Sequence, residues 1–119
     1  MKEFKFDYDS ENDDLFIYSG KEKSKGAVEM GDLIFDFNSN KDLVALEIMN
    51  ASKFIQEMLG KSILIDKKFL ENIKSCSLEV RQHQNMLLVR LLILSSRGKV
   101  AVPITVPNVK SPSPALLYA

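Results

Sequence analysis

Met86 to Leu94 reads MLLVRLLIL, an apolar run broken only by Arg90. It is less than half the length that a membrane-spanning helix requires. Polar turns bound it, HQN at 83–85 and SSRG at 95–98. Such a run is expected of a strand at the centre of a sheet or covered on both sides. Its neighbours are simpler. Leu78 and Val80 alternate with Glu79 and Arg81 before it, and Val100, Val102, Ile104 and Val106 alternate with Lys99, Ala101, Pro103 and Thr105 after it. The last third therefore predicts antiparallel strands joined by tight turns. Pro103 has no N–H to give to a ladder, so its strand is expected at an edge or leaving the sheet there.

Upstream the period changes. Phe54, Ile55, Met58 and Leu59 fall on one face of a helix, with Asn50 or Ser52 available as N-cap and Gly60 placed to end it. Asp66 is placed to cap a second short helix carrying Phe69, Leu70 and Ile73. A helical segment over 51–75 is expected to cover one face of a sheet.

The first third has a period of two. Phe4, Phe6 and Tyr8 alternate with charged residues, and Leu15 to Tyr18 suits a second strand. Ala27 to Met30 is a short alternation broken by Gly31. Leu33, Phe35 and Phe37, then Val44, Leu46 and Ile48, give a second hairpin around NSNKD. The connections are too short for crossovers, so pairing is antiparallel. Together these patterns predict an α+β fold: an antiparallel meander of about four strands, one or two short helices, then a C-terminal β-hairpin or three-stranded unit. That last unit extends the first sheet or packs on it.

The charges are unevenly placed in a chain of zero formal net charge. Residues 1–60 hold 7 lysines against 13 acids, a balance of −6, and residues 61–119 hold 9 basic residues against 3 acids, a balance of +6. Self-association between opposite halves is one consequence to test. Cys76 is the single cysteine, so no internal disulfide forms, and MKEFKFDYDS has no apolar core of a signal peptide. The expected location is cytoplasmic.

The stretch DYDSENDDLFIY, Asp7 to Tyr18, crowds acids at positions 7, 9, 11, 13 and 14. With GDLIFDFNSNKDLVALEIMNAS it resembles a family of small prokaryotic domains known only as domain of unknown function 2283. The positions that carry the resemblance are Tyr8, Asp9, Glu11, Asp13, Leu15, Phe16 and Ile17, then Asp36, Glu47, Ile48, Asn50, Ala51 and Ser52, over roughly residues 4–55. Lys41 and Ala45 stand where that pattern usually has glycine. The resemblance implies a small sheet with a helix, no catalytic residues, and a weak suggestion of an antitoxin-like partner. The expected organisation is a single α+β domain at 1–110, with a family-like segment over 1–60 and a β-rich extension over 61–110 that the resemblance does not reach, and an extended tail at 111–119.

Motifs of known chemistry fail on inspection. As a calcium loop starting at Asp7, the acidic stretch has Asn12 at the glycine position and Tyr18 at the closing glutamate position. Gly60, Lys61 and Ser62 resemble the end of a phosphate loop, but Ile55 stands where its first glycine belongs. His83 lies in a polar turn, and Cys76 with His83 as base lacks a third orienting group. No catalytic, cofactor-binding or metal residue is assigned. Asp36, Glu47 and Arg90, charged residues in otherwise apolar strands, are the candidate partner or ligand contacts; a structural ion pair between Glu47 and Arg90 is the first reading of that pair. The apolar surface of 86–94 exceeds what two short helices need cover, which predicts a homo-oligomer, most simply a dimer. The function expected is a noncatalytic interaction module; the alternative is a small-ligand or enzymatic domain with a pocket between sheet and helices.

Overall fold

The computed structural model describes residues 2–21 and 23–107; the tail expected at 111–119 lies outside them. Eight strands are found: β1 (Lys2–Asp9), β2 (Asp14–Tyr18), β3 (Gly26–Met30), β4 (Leu33–Phe37), β5 (Leu43–Ile48), β6 (Ile73–His83), β7 (Met86–Ser95) and β8 (Gly98–Pro107). Between β5 and β6 lie two helices, α1 (Ala51–Leu59) and α2 (Lys67–Glu71). All strands join one antiparallel sheet in the order β3-β4-β5-β2-β1-β6-β7-β8.

This corrects the expected α+β class. Strands take 57% and helices 13% of the described residues, and the sheet curls into a half-barrel. Neither a four-stranded meander nor a separate second unit describes it. β2 pairs with β5 and not with its chain neighbour β3, while β1 pairs with β2 along Lys5–Asp9 and with β6 along Lys2–Phe4. β1 is thus the seam through which the C-terminal strands continue the same sheet. The curl shows where Ile104 and Thr105 of β8 border one cleft with Met30 and Leu33 of the β3–β4 hairpin. Opposite ends of the strand order approach each other there.

Alternation explains what fills the curl. Phe4, Leu15, Ile17, Leu33, Phe35, Leu46, Ile48, Leu78, Leu87, Val89, Leu91, Ile93, Val100, Val102, Ile104 and Val106 point inward into one continuous apolar cluster. A large side chain removed from water there stabilises the fold by about 1.5–3 kcal/mol. Between β4 and β5 a register shift at Asp36/Phe37 sets Leu43 opposite Phe37, so Leu43 joins the inner cluster while Val44, also buried, lies outside it. The expected alternation of Val44 with Leu46 is broken by this bulge.

The helices close the open side. α1 buries Ala51 and Ile55, one helical turn apart, and Phe54 and Leu59 pack half-buried against the same cluster. Gly60 ends it with φ 69, a conformation that favours glycine. In α2 the Asp66 side chain accepts from the Phe69 N–H at 2.9 Å, which caps a helix whose Phe69 and Leu70 are buried. Ser95 Oγ donates to the Phe69 carbonyl at 2.8 Å and fastens α2 to β7. Ile73, expected in a helix, is the first residue of β6, paired with Ser95.

Candidate functional site

Each strand of a curled sheet turns every second side chain outward, and the two halves of the chain turn out different ones. On the N-terminal strands the outward residues are Asp7, Asp14, Phe16, Tyr18, Glu29, Asp36 and Glu47, as cross-strand register requires. Asp7 lies opposite Phe16, Phe16 and Ile34 flank Glu47, and Glu29 lies opposite Ile34. The Phe16 and Tyr18 rings stack with centroids 4.9 Å apart. Here the structure brings Asp36 and Glu47 together, with Asp14 as a third carboxyl. Glu47 lies within hydrogen-bonding reach of Asp14; that contact, partial burial and the negative charges of Asp14 and Asp36 hold its pKa up to about 7. Asp14 Oδ1 is buried and finds no donor in the structure; a proton held on Glu47 supplies one. Asp14 was missed in the sequence, although its phase with Phe16 and Tyr18 marks it as outward.

On the C-terminal strands the outward side is apolar and basic. Met86, Leu88 and Leu94 of β7 are 40%, 38% and 43% exposed, an unusual state for side chains of their size on a single strand. Arg90 sits among them, with Glu79 of β6 on one side and Pro103 of β8 on the other. Glu79, Arg81, Leu88, Arg90, Pro103 and Thr105 border a shallow groove of about 380 Å³. Glu79 is engaged by Arg81 at 3.5 Å, which leaves Arg90 without an ion pair among the described residues. The apolar run 86–94 is therefore covered on one face only. Pro103 lies on β8, an edge of the sheet.

Arg90 and Glu47 are not brought together. β2, β1 and β6 separate β5 from β7, so the expected ion pair does not form. Nor do Asp36 and Glu47 line a pocket between sheet and helices, since α1 and α2 cover the opposite, inner face. A groove of about 720 Å³ does lie beside α1, bordered by Ser52, Lys53, Gln56, Leu64, Ile65 and Lys67 among others. Gln56 builds its wall. Its Oε1 accepts from the Ile65 N–H at 2.7 Å and its Nε2 donates to the Ile63 carbonyl at 2.9 Å. Sequence reading missed Gln56 because its partners lie in a loop with no regular period.

Two further acids of Asp7–Asp14, Asp9 and Asp13, are used by the fold itself. Asp9 accepts from the Glu11 and Asn12 N–H groups and from Asn12 Nδ2 across the β1–β2 turn; those contacts, led by the Asn12 side chain, lower its pKa. Asp13, only 7% exposed and left-handed at φ 55, reaches α1. Its carboxylate accepts from Ser52 Oγ at 2.7 Å, from the Ser52 N–H at 3.1 Å, and from Tyr8 OH at 2.7 Å. Its carbonyl accepts from the Ala51 N–H at 2.8 Å. Asn50, the local N-cap, makes no side-chain cap bond, so Asp13 caps α1 from a distant hairpin. Burial opposes the charge, but the Tyr8 and Ser52 bonds outweigh it and lower the Asp13 pKa. Burial, then Asp13, raises the Tyr8 pKa.

Cys76 and His83 lie seven residues apart on β6, roughly 23 Å at the rise of an extended strand. They form no catalytic pair. Cys76 is fully buried, and burial pushes its thiol up to about 12. Among the described residues no group of three His, Cys, Asp or Glu side chains is arranged to hold a metal ion.

The segment tied together by Asp13 is the one that comparison with known proteins recovers. Residues 5–52 match the family described as "Protein of unknown function (DUF2283)". The DUF2283 segment thus holds both the donors Tyr8 and Ser52 and their acceptor, Asp13. An uncharacterised protein of Methanocaldococcus jannaschii is 49% identical over 49 residues, 41% of this chain and 42% of that protein. The chain thus spans less than half the length of that relative. A protein of Methanosarcina mazei, named as a candidate hypoxanthine phosphoribosyltransferase, is 29% identical over 96 residues, 81% of this chain and 72% of that protein. No solved structure matches the chain.

Proposed function

We propose that the protein is a noncatalytic interaction module whose docking surface is the outer face of β6, β7 and β8. The observation that carries this reading is the exposure of Met86, Leu88 and Leu94 along one strand whose opposite face is fully buried. A strand that needed only to close the core would carry polar residues at those positions. Arg90, which has no ion pair among the described residues, adds direction to an otherwise greasy surface. The module acts in the cytoplasm; among the described residues no helix is long and apolar enough to cross a membrane. An antitoxin-like role is one specific form of this reading.

The name of the Methanosarcina relative points instead to nucleotide chemistry. A phosphate is commonly received at a helix N-terminus, and in α1 that end is filled by the Asp13 carboxylate. The pocket reading also loses Asp36 and Glu47, its named anchors, which face outward. Site-specific photo-crosslinking in the native cell tests the proposal. A crosslinker at Leu88 is expected to capture a protein, itself included, while one at exposed Asn40 does not. Absence of any product at Leu88, with the protein folded and abundant, contradicts it.

A further inference from the structure

The docking surface has a matching surface on the same molecule. Outside β6–β8 lie exposed leucines and a methionine around Arg90, with Arg81 and Lys99 on the same face as judged by register, opposite Leu88 and Leu94. Outside β2, β4 and β5 lie the stacked Phe16 and Tyr18 rings, with Phe16 37% exposed, among Asp14, Asp36 and Glu47. One face is apolar and basic; the other is aromatic and acidic. Within one chain they do not meet, because they occupy separate stretches of one outer surface with β1 between them. Resting on the docking reading above, we infer that the occupant of the β6–β8 face is the β2–β4–β5 face of a second copy of this chain.

The electrostatics on each side ask for such a partner. Among the described residues no cation bridges Asp14, Asp36 and Glu47, and the carboxylate beside Arg90, Glu79, is paired with Arg81. An arginine brought among the three carboxyls relieves their repulsion, and the surrounding rings and leucines exclude water from the contact. Charges complementary across an interface also fix register and suppress wrong partners. The overall charge balance of −6 in residues 1–60 and +6 in residues 61–119 orients an approaching copy before contact. Each copy presents both faces, so the contact runs from one face of a copy to the other face of its neighbour. This is heterologous, and it closes into a ring or continues as an open chain.

Sedimentation velocity of the full chain over a concentration series tests this by charge reversal. The parent is expected to self-associate at low salt and to weaken as salt screens the contact. Arg90→Glu and Glu47→Arg are each expected to weaken self-association at least about tenfold, since like charges then face each other. An equimolar mixture of the two variants is expected to associate, because each reversed face meets a reversed partner. Circular dichroism establishes that each variant is folded, and Asp36→Arg replaces Glu47→Arg should the latter fail to fold. A parent that stays monomeric at about 100 μM and low salt overturns the inference, as does a mixture that behaves like its two components. If the parent is monomeric while Leu88 crosslinks to a different protein in cells, the docking reading stands and only the choice of occupant falls.

Discussion

The DUF2283 segment and the three strands that follow it use their side chains in opposite senses. In the segment the dense acids of Asp7–Asp14 look like a surface for binding, yet Asp9 and Asp13 are spent on turn N–H groups, a helix end and Tyr8. In the extension the apolar run 86–94 looks like core, yet half of it faces water. Asp9 and Asp13 therefore serve construction in the first region, where only the outward acids are left to a partner, and apolar density marks an outward surface in the second. The reason is topological. Asp13 sits in a hairpin whose tip meets the start of α1, whereas β7 lies beyond the reach of either helix on its outer side.

The comparison breaks most sharply at Asp13. Asp13→Ala strands Tyr8 OH and the Ser52 donors and puts a residue with no side-chain oxygen at positive φ; a loss of about 3 kcal/mol is expected in urea unfolding. Asp13→Asn keeps an acceptor and tolerates the left-handed backbone, so it should lose less than half as much. A loss below about 1 kcal/mol for Asp13→Ala would mean that the acids of this segment are free for another task after all.

Glu47 sharpens the picture through pH. Its folded pKa is raised, to about 7 against 4.5 for an ordinary glutamate, so the folded state holds the proton more tightly than the unfolded state. Its contribution is fully present below about pH 4.5 and is lost as pH rises through 7. Asp13 has the opposite sign: its lowered pKa gives stability present above the unfolded value of 3.8 and lost as pH falls through the folded value. Glu47→Gln is expected to remove the decline between pH 4.5 and 7 while leaving the acid limb in place, as read from urea midpoints across that range. A decline that persists in Glu47→Gln would show that the three outward carboxyls do not interact.

Much of the inner face was legible because burial follows period two. Leu15 with Ile17, Leu33 with Phe35, and Val100 through Val106 all turn inward as their alternation demands, and Asp66 and Gly60 bound helices where local rules place them. What failed depends on partners distant in sequence. β3 is an edge strand with only Val28 and Met30 packed against the core, so the alternation read at Ala27 to Met30 was too short to count as a strand of its own. Asp13 was visible as one acid in a loop, but its cap to Ser52 spans 39 residues and rests on how β2 pairs with β5. The outward carboxyl group of Asp14, Asp36 and Glu47 likewise exists only once three strands are in register. Both faces of MLLVRLLIL look alike in sequence; the side left bare depends on where the helices dock.

Smaller effects test local detail in the family-matched segment. Lys41 adopts φ 65, in the position where the resembling family usually has glycine, so the turn does need positive φ and lysine is strained there. Lys41→Gly is expected to stabilise by about 0.5–1 kcal/mol, the relief of strain exceeding the entropy that glycine adds to the unfolded chain. A destabilising result in thermal melts would place the strain elsewhere. Cys76 in the native protein should react with iodoacetamide far more slowly than in urea, since the thiol is buried on the inner face of β6 between β1 and β7.

The most direct measurement is urea unfolding of Leu88→Thr/Leu94→Thr at a protein concentration low enough to hold single copies. Threonine is a good strand former, so if the outer side of β7 belongs to a partner and not to the chain's own core, the double variant should unfold within about 0.5 kcal/mol of the parent. A loss of several kcal/mol, comparable to that of Asp13→Ala, would place those leucines in the core and contradict the account.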